Sequence, residues 1–127
     1  YLADQRLDNV NELFSVPFGG GPAVAVDLMP SFGDVSSFRI APGSLAGVYL
    51  ADRDTDSVPQ LFRGSIDGRG TPMRVNLALP AGGAVQADYI ALDGGTLYRA
   101  DQETNDVLEL FLDQRILGAG APRDRAR

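Results

Sequence analysis

Along the chain, apolar and polar residues exchange places every one or two positions, and no stretch keeps the spacing of an amphipathic helix. Val35 to Ala41 alternates and stops at Pro42-Gly43. Val85 to Leu92 stops at Asp93-Gly94, a dipeptide suited to two-residue hairpins because both positions tolerate positive φ. These segments predict the first strand of two units. Second strands are expected over Val48 to Asp52 and Leu97 to Asp101, and third strands over Gln60 to Ser65 and Leu108 to Leu112. The fourth is expected over Pro72 to Leu79, with Pro22 to Leu28 as its equivalent. Adjacent Leu and Phe in the third strand point to opposite faces, so burial on both faces is expected. Each fourth strand opens on a proline, which a sheet edge tolerates.

The pattern repeats. YLADQRLDNVNELF from Tyr1, YLADRDTDSVPQLF from Tyr49 and YRADQETNDVLELF from Tyr98 align without gaps, at offsets of 48 and 49 residues. Six of the fourteen columns are identical in all three: the Tyr, Ala3/Ala51/Ala100, Asp4/Asp52/Asp101, Val10/Val58/Val107, Leu13/Leu61/Leu110 and Phe14/Phe62/Phe111. A period near 48 residues matches propeller blades of four strands better than shorter solenoid repeats.

The expected architecture is therefore all-β, with β-propeller blades of four antiparallel strands stacked face to face. Residues 1–34 form a partial blade, 35–80 a complete one, 81–112 another partial one and 113–127 a tail, about 2.6 blades in all. Closed propellers use 4 to 8 blades, so the ring would be completed by a longer propeller or by further copies of the chain adding strands in trans. The tail, DQRILGAGAPRDRAR, lacks the alternation of a fourth strand, although Arg115 to Leu117 could pair briefly. Its Arg123, Arg125 and Arg127 are expected to be solvated. Tyr and Phe of each repeat are expected to supply inter-blade adhesion by burial.

Composition narrows the chemistry. Eleven Arg and no Lys stand against fourteen Asp and three Glu, a net charge of −6, which disfavours nucleic acid and anionic membranes as partners. No apolar run is long enough to span a bilayer. Without Cys, His or Lys, disulfides, thiolate or imidazole metal sites, His-based triads and Schiff bases are excluded. Carboxylate chemistry of the glycosidase type is what remains for an enzyme. Asp27, Asp34 and Asp88 lie near strand ends, but each reads as a turn or rim residue. Gly19-Gly20-Gly21 precedes a strand and is no phosphate loop.

One motif has metal-ligand spacing. Asp52, Asp54 and Asp56 alternate, with Gln60 at the ninth position, and Asp101, Glu103, Asn105 and Glu109 repeat the arrangement. Alternating oxygens on a tight loop suit calcium, which takes six to eight oxygen ligands. Against this, Arg6 stands at a ligand position in the first repeat and Ser57 replaces the expected glycine. Plain Asx turns that keep the rim soluble explain the same residues.

The unit YLADxDTDxVxxLF, with its Pro-Gly or Asp-Gly hairpin upstream, resembles the TolB-like family of bacterial β-propeller repeats over nearly the whole chain. The family's Glu-Leu-Tyr-like triplet stands here as Glu12-Leu13-Phe14, Gln60-Leu61-Phe62 and Glu109-Leu110-Phe111. The resemblance implies an exported bacterial protein, periplasmic or extracellular, that binds or scaffolds, and it implies no catalytic residue. The expected function is thus a non-enzymatic binding or assembly module whose partner is another protein, further copies of itself or the rest of a longer propeller. A self-assembling ring or fibre and a carbohydrate-active enzyme are the alternatives.

Overall fold

The computed structural model describes residues 1–43, 45–114 and 124–126. Among them every regular element is a β-strand. Eleven strands form three antiparallel sheets. The first holds β1 (Leu2–Ala3), β2 (Glu12–Ser15) and β3 (Val24–Ala25) in that order. In the middle sheet, β4 (Val35–Ile40), β5 (Ala46–Ala51), β6 (Gln60–Ser65) and β7 (Met73–Arg74) follow one another as a meander. The third holds β8 (Ile90–Leu92), β9 (Gly95–Ala100), β10 (Glu109–Asp113) and β11 (Asp124–Ala126).

Local chemistry accounts for these elements. Asp93-Gly94 makes the two-residue hairpin expected of it, Leu92 pairing with Gly95 across the turn and Gly94 sitting at φ 76°. The fourth strands are shorter than the sequence suggests. Pro72 and Pro22 precede pairing segments of only two residues, Met73–Arg74 and Val24–Ala25, and the ladder then gives way to buried polar contacts at Asp27 and Asn76. The first strand of the third sheet is also cut back, to Ile90–Leu92 with a single further bridge from Val85 to Ala100. At the other end, the expected tail begins inside β10, and Asp124–Ala126 pairs with Leu110–Leu112 as a fourth strand. The third sheet is therefore four-stranded, which the poor alternation of those residues did not suggest. The pairing expected for Arg115 to Leu117, and the ends at Arg123 and Arg127, lie outside the described residues.

Two apolar clusters join the sheets. One unites Leu13 and Val26 of the first sheet with Tyr49, Ala51 and Phe62 of the middle sheet. The other unites Val48, Leu50, Leu61 and Val75 of the middle sheet with Tyr98, Ala100 and Phe111 of the third. The middle sheet is thus buried on both faces, as the Leu-Phe alternation requires. Tyr49 and Leu61 are fully buried and Phe62 is 1% exposed. In every sheet the repeat's Tyr and Phe stack as a cross-strand pair, with ring centroids 5.7, 5.9 and 5.6 Å apart. Such stacking adds about 0.5–1.5 kcal/mol beyond the area it buries. Gly64 of β6 is small for a packing reason, because a Cβ there would lie 3.1 Å from Val26 of the neighbouring sheet.

Candidate functional site

The loops that follow the second strands gather the acidic residues of the repeat. Their geometry is set by the invariant aspartate. Asp52 accepts the N–H of Asp34 at 2.6 Å on one oxygen and that of Ser57 at 3.1 Å on the other. Asp101 does the same with Ala84 at 2.6 Å and Asp106 at 3.0 Å. Each carboxylate therefore closes its own loop and clips it to the chain entering the first strand of the same sheet. These amide donors, Ala84's foremost, hold the Asp101 carboxyl below the usual carboxylate range. The turn also demands a left-handed residue at one position of the repeat, and Asn9, Ser57 and Asp106 occupy it at φ 62°, 63° and 67°. Asn and Asp tolerate that conformation better than Ser.

The residues with calcium-like spacing do not share a coordination centre. Both oxygens of Asp52 and Asp101 hold backbone amides. Asp54 pairs with Arg53 at 3.2 Å, Asp56 accepts the Ser57 hydroxyl, and Gln60 is buried and accepts the Asn76 amide at 3.1 Å. Asn105 donates to Asp106, Glu103 is exposed and Glu109 half-buried. Among the described residues, no three acidic side chains come together to hold a metal ion.

Buried polar networks are the features that spacing did not reveal. Asp27, expected at the rim, is 5% exposed; it accepts the Tyr49 hydroxyl at 2.7 Å and pairs with Arg53 at 2.9 Å. Burial, followed by the nearby Asp27 charge, drives the Tyr49 hydroxyl far above its ordinary pKa. In the other repeats the same Tyr donates instead to Gln5 and Gln102, four residues on, where the middle repeat has Arg53. That Gln-to-Arg change was the available signal, since an arginine beside a buried Tyr calls for a carboxylate. Tyr89 was also missed: it lies buried beneath Arg39 and bonds Ser37 at 2.9 Å, linking the third sheet to the middle one. Asp88, by contrast, is an exposed rim residue paired with Arg99, as expected.

The two seams between sheets differ at this end of the molecule. In the first, Asn11 donates its N–H to Asp34 at 2.8 Å and accepts that of Val35 at 2.9 Å. Beside it, Arg6 grips the buried Glu12 carboxylate at 2.8 Å and donates to the Met29 carbonyl, while the Met29 N–H donates to Glu12 at 2.7 Å. In the second seam Pro59 stands for Asn11, Ala84 for Asp34, Asp54 for Arg6 and Gln60 for Glu12. Donor, acceptor and arginine are all absent from those places, and a cleft of about 520 Å³ opens between the β5–β6 loop and the segment leading to the third sheet. Among the described residues, Arg74 is the one charged residue on its lining.

Comparison of the chain with family models, with curated proteins and with solved structures finds no match.

Proposed function

We propose that the chain is a propeller-type segment that works by binding and assembly, not catalysis, its blade stacking continued by sheets of the same kind. One observation carries this reading. The Tyr-Phe face of one sheet packs on the Leu face of the sheet before it at both internal seams. The same two faces recur on the outside of the stack, where no further sheet lies among the described residues. Outside the first sheet Tyr1 stacks on Phe14 and is 46% exposed. Outside the third sheet lie Leu97, Leu110 and Leu112, which alternation turns away from the inward Tyr98 and Phe111. A head-to-tail contact of this sort closes a ring when its rotation permits, and two copies would supply six sheets.

The binding role is supported by the way the buried carboxylates are used. Glu12 and Asp27 are each committed to an arginine and a further donor, which suits structure and not proton transfer. The resemblance to exported bacterial propeller repeats extends the proposal to a scaffold acting outside the cytoplasm. Light scattering on the 13.5 kDa chain tests it. A discrete multiple of that mass, reduced to the single chain by Leu110→Asp, is the expected result. A chain that stays single at high concentration, with its outer leucines tolerant of Asp, contradicts it.

A further inference from the structure

We infer that the cleft of the second seam is a socket for Phe18 of a second copy of this chain, so that copies join end to end. The inference is independent of how the ring is completed, because that contact is made by sheet faces and this one by loops. It starts from the most exposed large apolar side chain among the described residues. Phe18 is 110% exposed, ahead of Leu45 at 79%. Gly20 donates its N–H to the Pro17 carbonyl at 2.9 Å, which closes a turn with Phe18 and Gly19 at its centre. A Cβ at Gly19 or Gly20 would meet nothing within 4 Å, and Gly20 and Gly21 sit at φ 92° and 132°. The turn therefore projects the ring away from its own sheet, flanked by residues too small to cover it.

Ring and socket lie at opposite ends of the strands. β2 runs from the acidic loop of the first repeat to the Phe18 turn, and Gly68 of the β6–β7 loop lies against Val24 and Ala25 at that same end. The cleft opens at the other end, between the β5–β6 loop and the segment leading to the third sheet. Its volume of about 520 Å³ admits a phenyl ring, and Val58, Pro59, Leu79 and Pro80 offer apolar walls. Pro59 and Ala84 bring no polar side chain, so a ring entering between them breaks no hydrogen bond there. In the first seam the Asn11–Asp34 bond and Arg6 occupy that ground, so the two seams do not compete for the ring. The contact asks nothing of Arg74, whose Nε stays with the Asn76 carbonyl at 3.1 Å. Charge sets the polarity. The cleft end carries the exposed Asp54, Asp56 and Asp106, and two such ends facing each other would repel, whereas residues 16–22 are uncharged and can approach. A projecting ring at one end and a socket at the other make a heterologous contact that can repeat from copy to copy. An aromatic anchor seated in a pocket commonly dominates a protein contact, and burying one phenylalanine is worth about tenfold to a hundredfold in an association constant.

The test is a titration of the 15N-labelled Phe18→Ser chain, which keeps the socket and lacks the ring, with unlabelled unaltered chain and, separately, with unlabelled Phe18→Ser chain. Because the ring is fully exposed, the substitution is expected to leave the labelled spectrum unchanged outside its own loop. The unaltered chain is expected to shift the backbone signals of Gly82, Gly83 and Ala84 saturably, and the Phe18→Ser chain to do so at least tenfold more weakly. Absence of those shifts with the unaltered chain, or equal shifts with both partners, would overturn the inference. Lateral stacking of sheet faces reads out elsewhere, moving Leu97, Leu110 and Leu112 alike with either partner, so the failure of one reading is distinguishable from the failure of the other.

Discussion

Asn11 and Asp34 meet at 2.8 Å in the seam between the first and middle sheets, whereas Pro59 and Ala84 stand in those places in the next seam and a cleft opens. Below both rims the packing is alike: Tyr49 with Phe62 and Tyr98 with Phe111 stack at nearly the same separation and angle. The repeat is therefore held constant where burial fixes side-chain volume and released where loops meet water. Close packing penalises change in the core by whole kilocalories, while rim substitutions away from bonded networks cost little. A stack of this kind can vary the loops at its seams without altering how its sheets adhere.

The largest effect should come from breaking the part the two seams share. Phe62→Ala removes a ring buried to 1% and is expected to cost about 3–5 kcal/mol, read from the urea midpoint. Phe14→Ala, at a ring itself 6% exposed but beside the half-exposed Tyr1, should cost less. The rim contrast comes next. Arg6→Ala strips the buried Glu12 of its cation and should lower the urea midpoint clearly, whereas Asp54→Ala at the equivalent position should leave it nearly unchanged.

Acid should expose the loop clips. Because the Asp101 carboxyl titrates lower in the folded chain than in the unfolded one, its contribution is complete above the unfolded value near about 3.9 and is lost as pH falls through the folded value. Asp67, lowered by the Ser65 hydroxyl and the Arg69 amide, acts in the same sense. Urea midpoints are expected to be flat from pH 7 to about 5 and to fall below about 4, with Asp101→Asn making that acid limb shallower. The smallest effect concerns the left-handed turn position. Ser57→Gly should raise stability by about 0.5–1 kcal/mol, while Asn9→Gly should gain less because Asn already tolerates φ 62°.

The period, the sheets and most strand positions were legible in the sequence because they rest on alternation and turn chemistry, both local. Gln60–Ser65 falls where the Leu-Phe alternation puts it, and Asp93-Gly94 turns as its residues dictate. The fourth strand of the third sheet was not legible. Asp124–Ala126 pairs through its backbone, and a three-residue edge strand needs no apolar pattern. The acidic loops were legible as loops, but alternating carboxylates look the same whether they face a cation or backbone amides, and only the fold brings Asp34 and Ala84 to Asp52 and Asp101. Asp27 was misjudged for a related reason. Its burial depends on Tyr49 and Arg53, more than twenty residues away, and no local pattern reports them. The cleft was invisible until the seams could be compared pair by pair.

The central claim is that one stacking surface is used throughout, satisfied inside the middle sheet and open at the two ends. Amide hydrogen exchange measured over a range of protein concentrations tests it most directly. The account predicts that β5 and β6 exchange slowest and at rates independent of concentration, while β2 and β10 gain protection as concentration rises. Exchange in β5 and β6 as fast as in the outer sheets, or outer-sheet rates that ignore concentration, would contradict it.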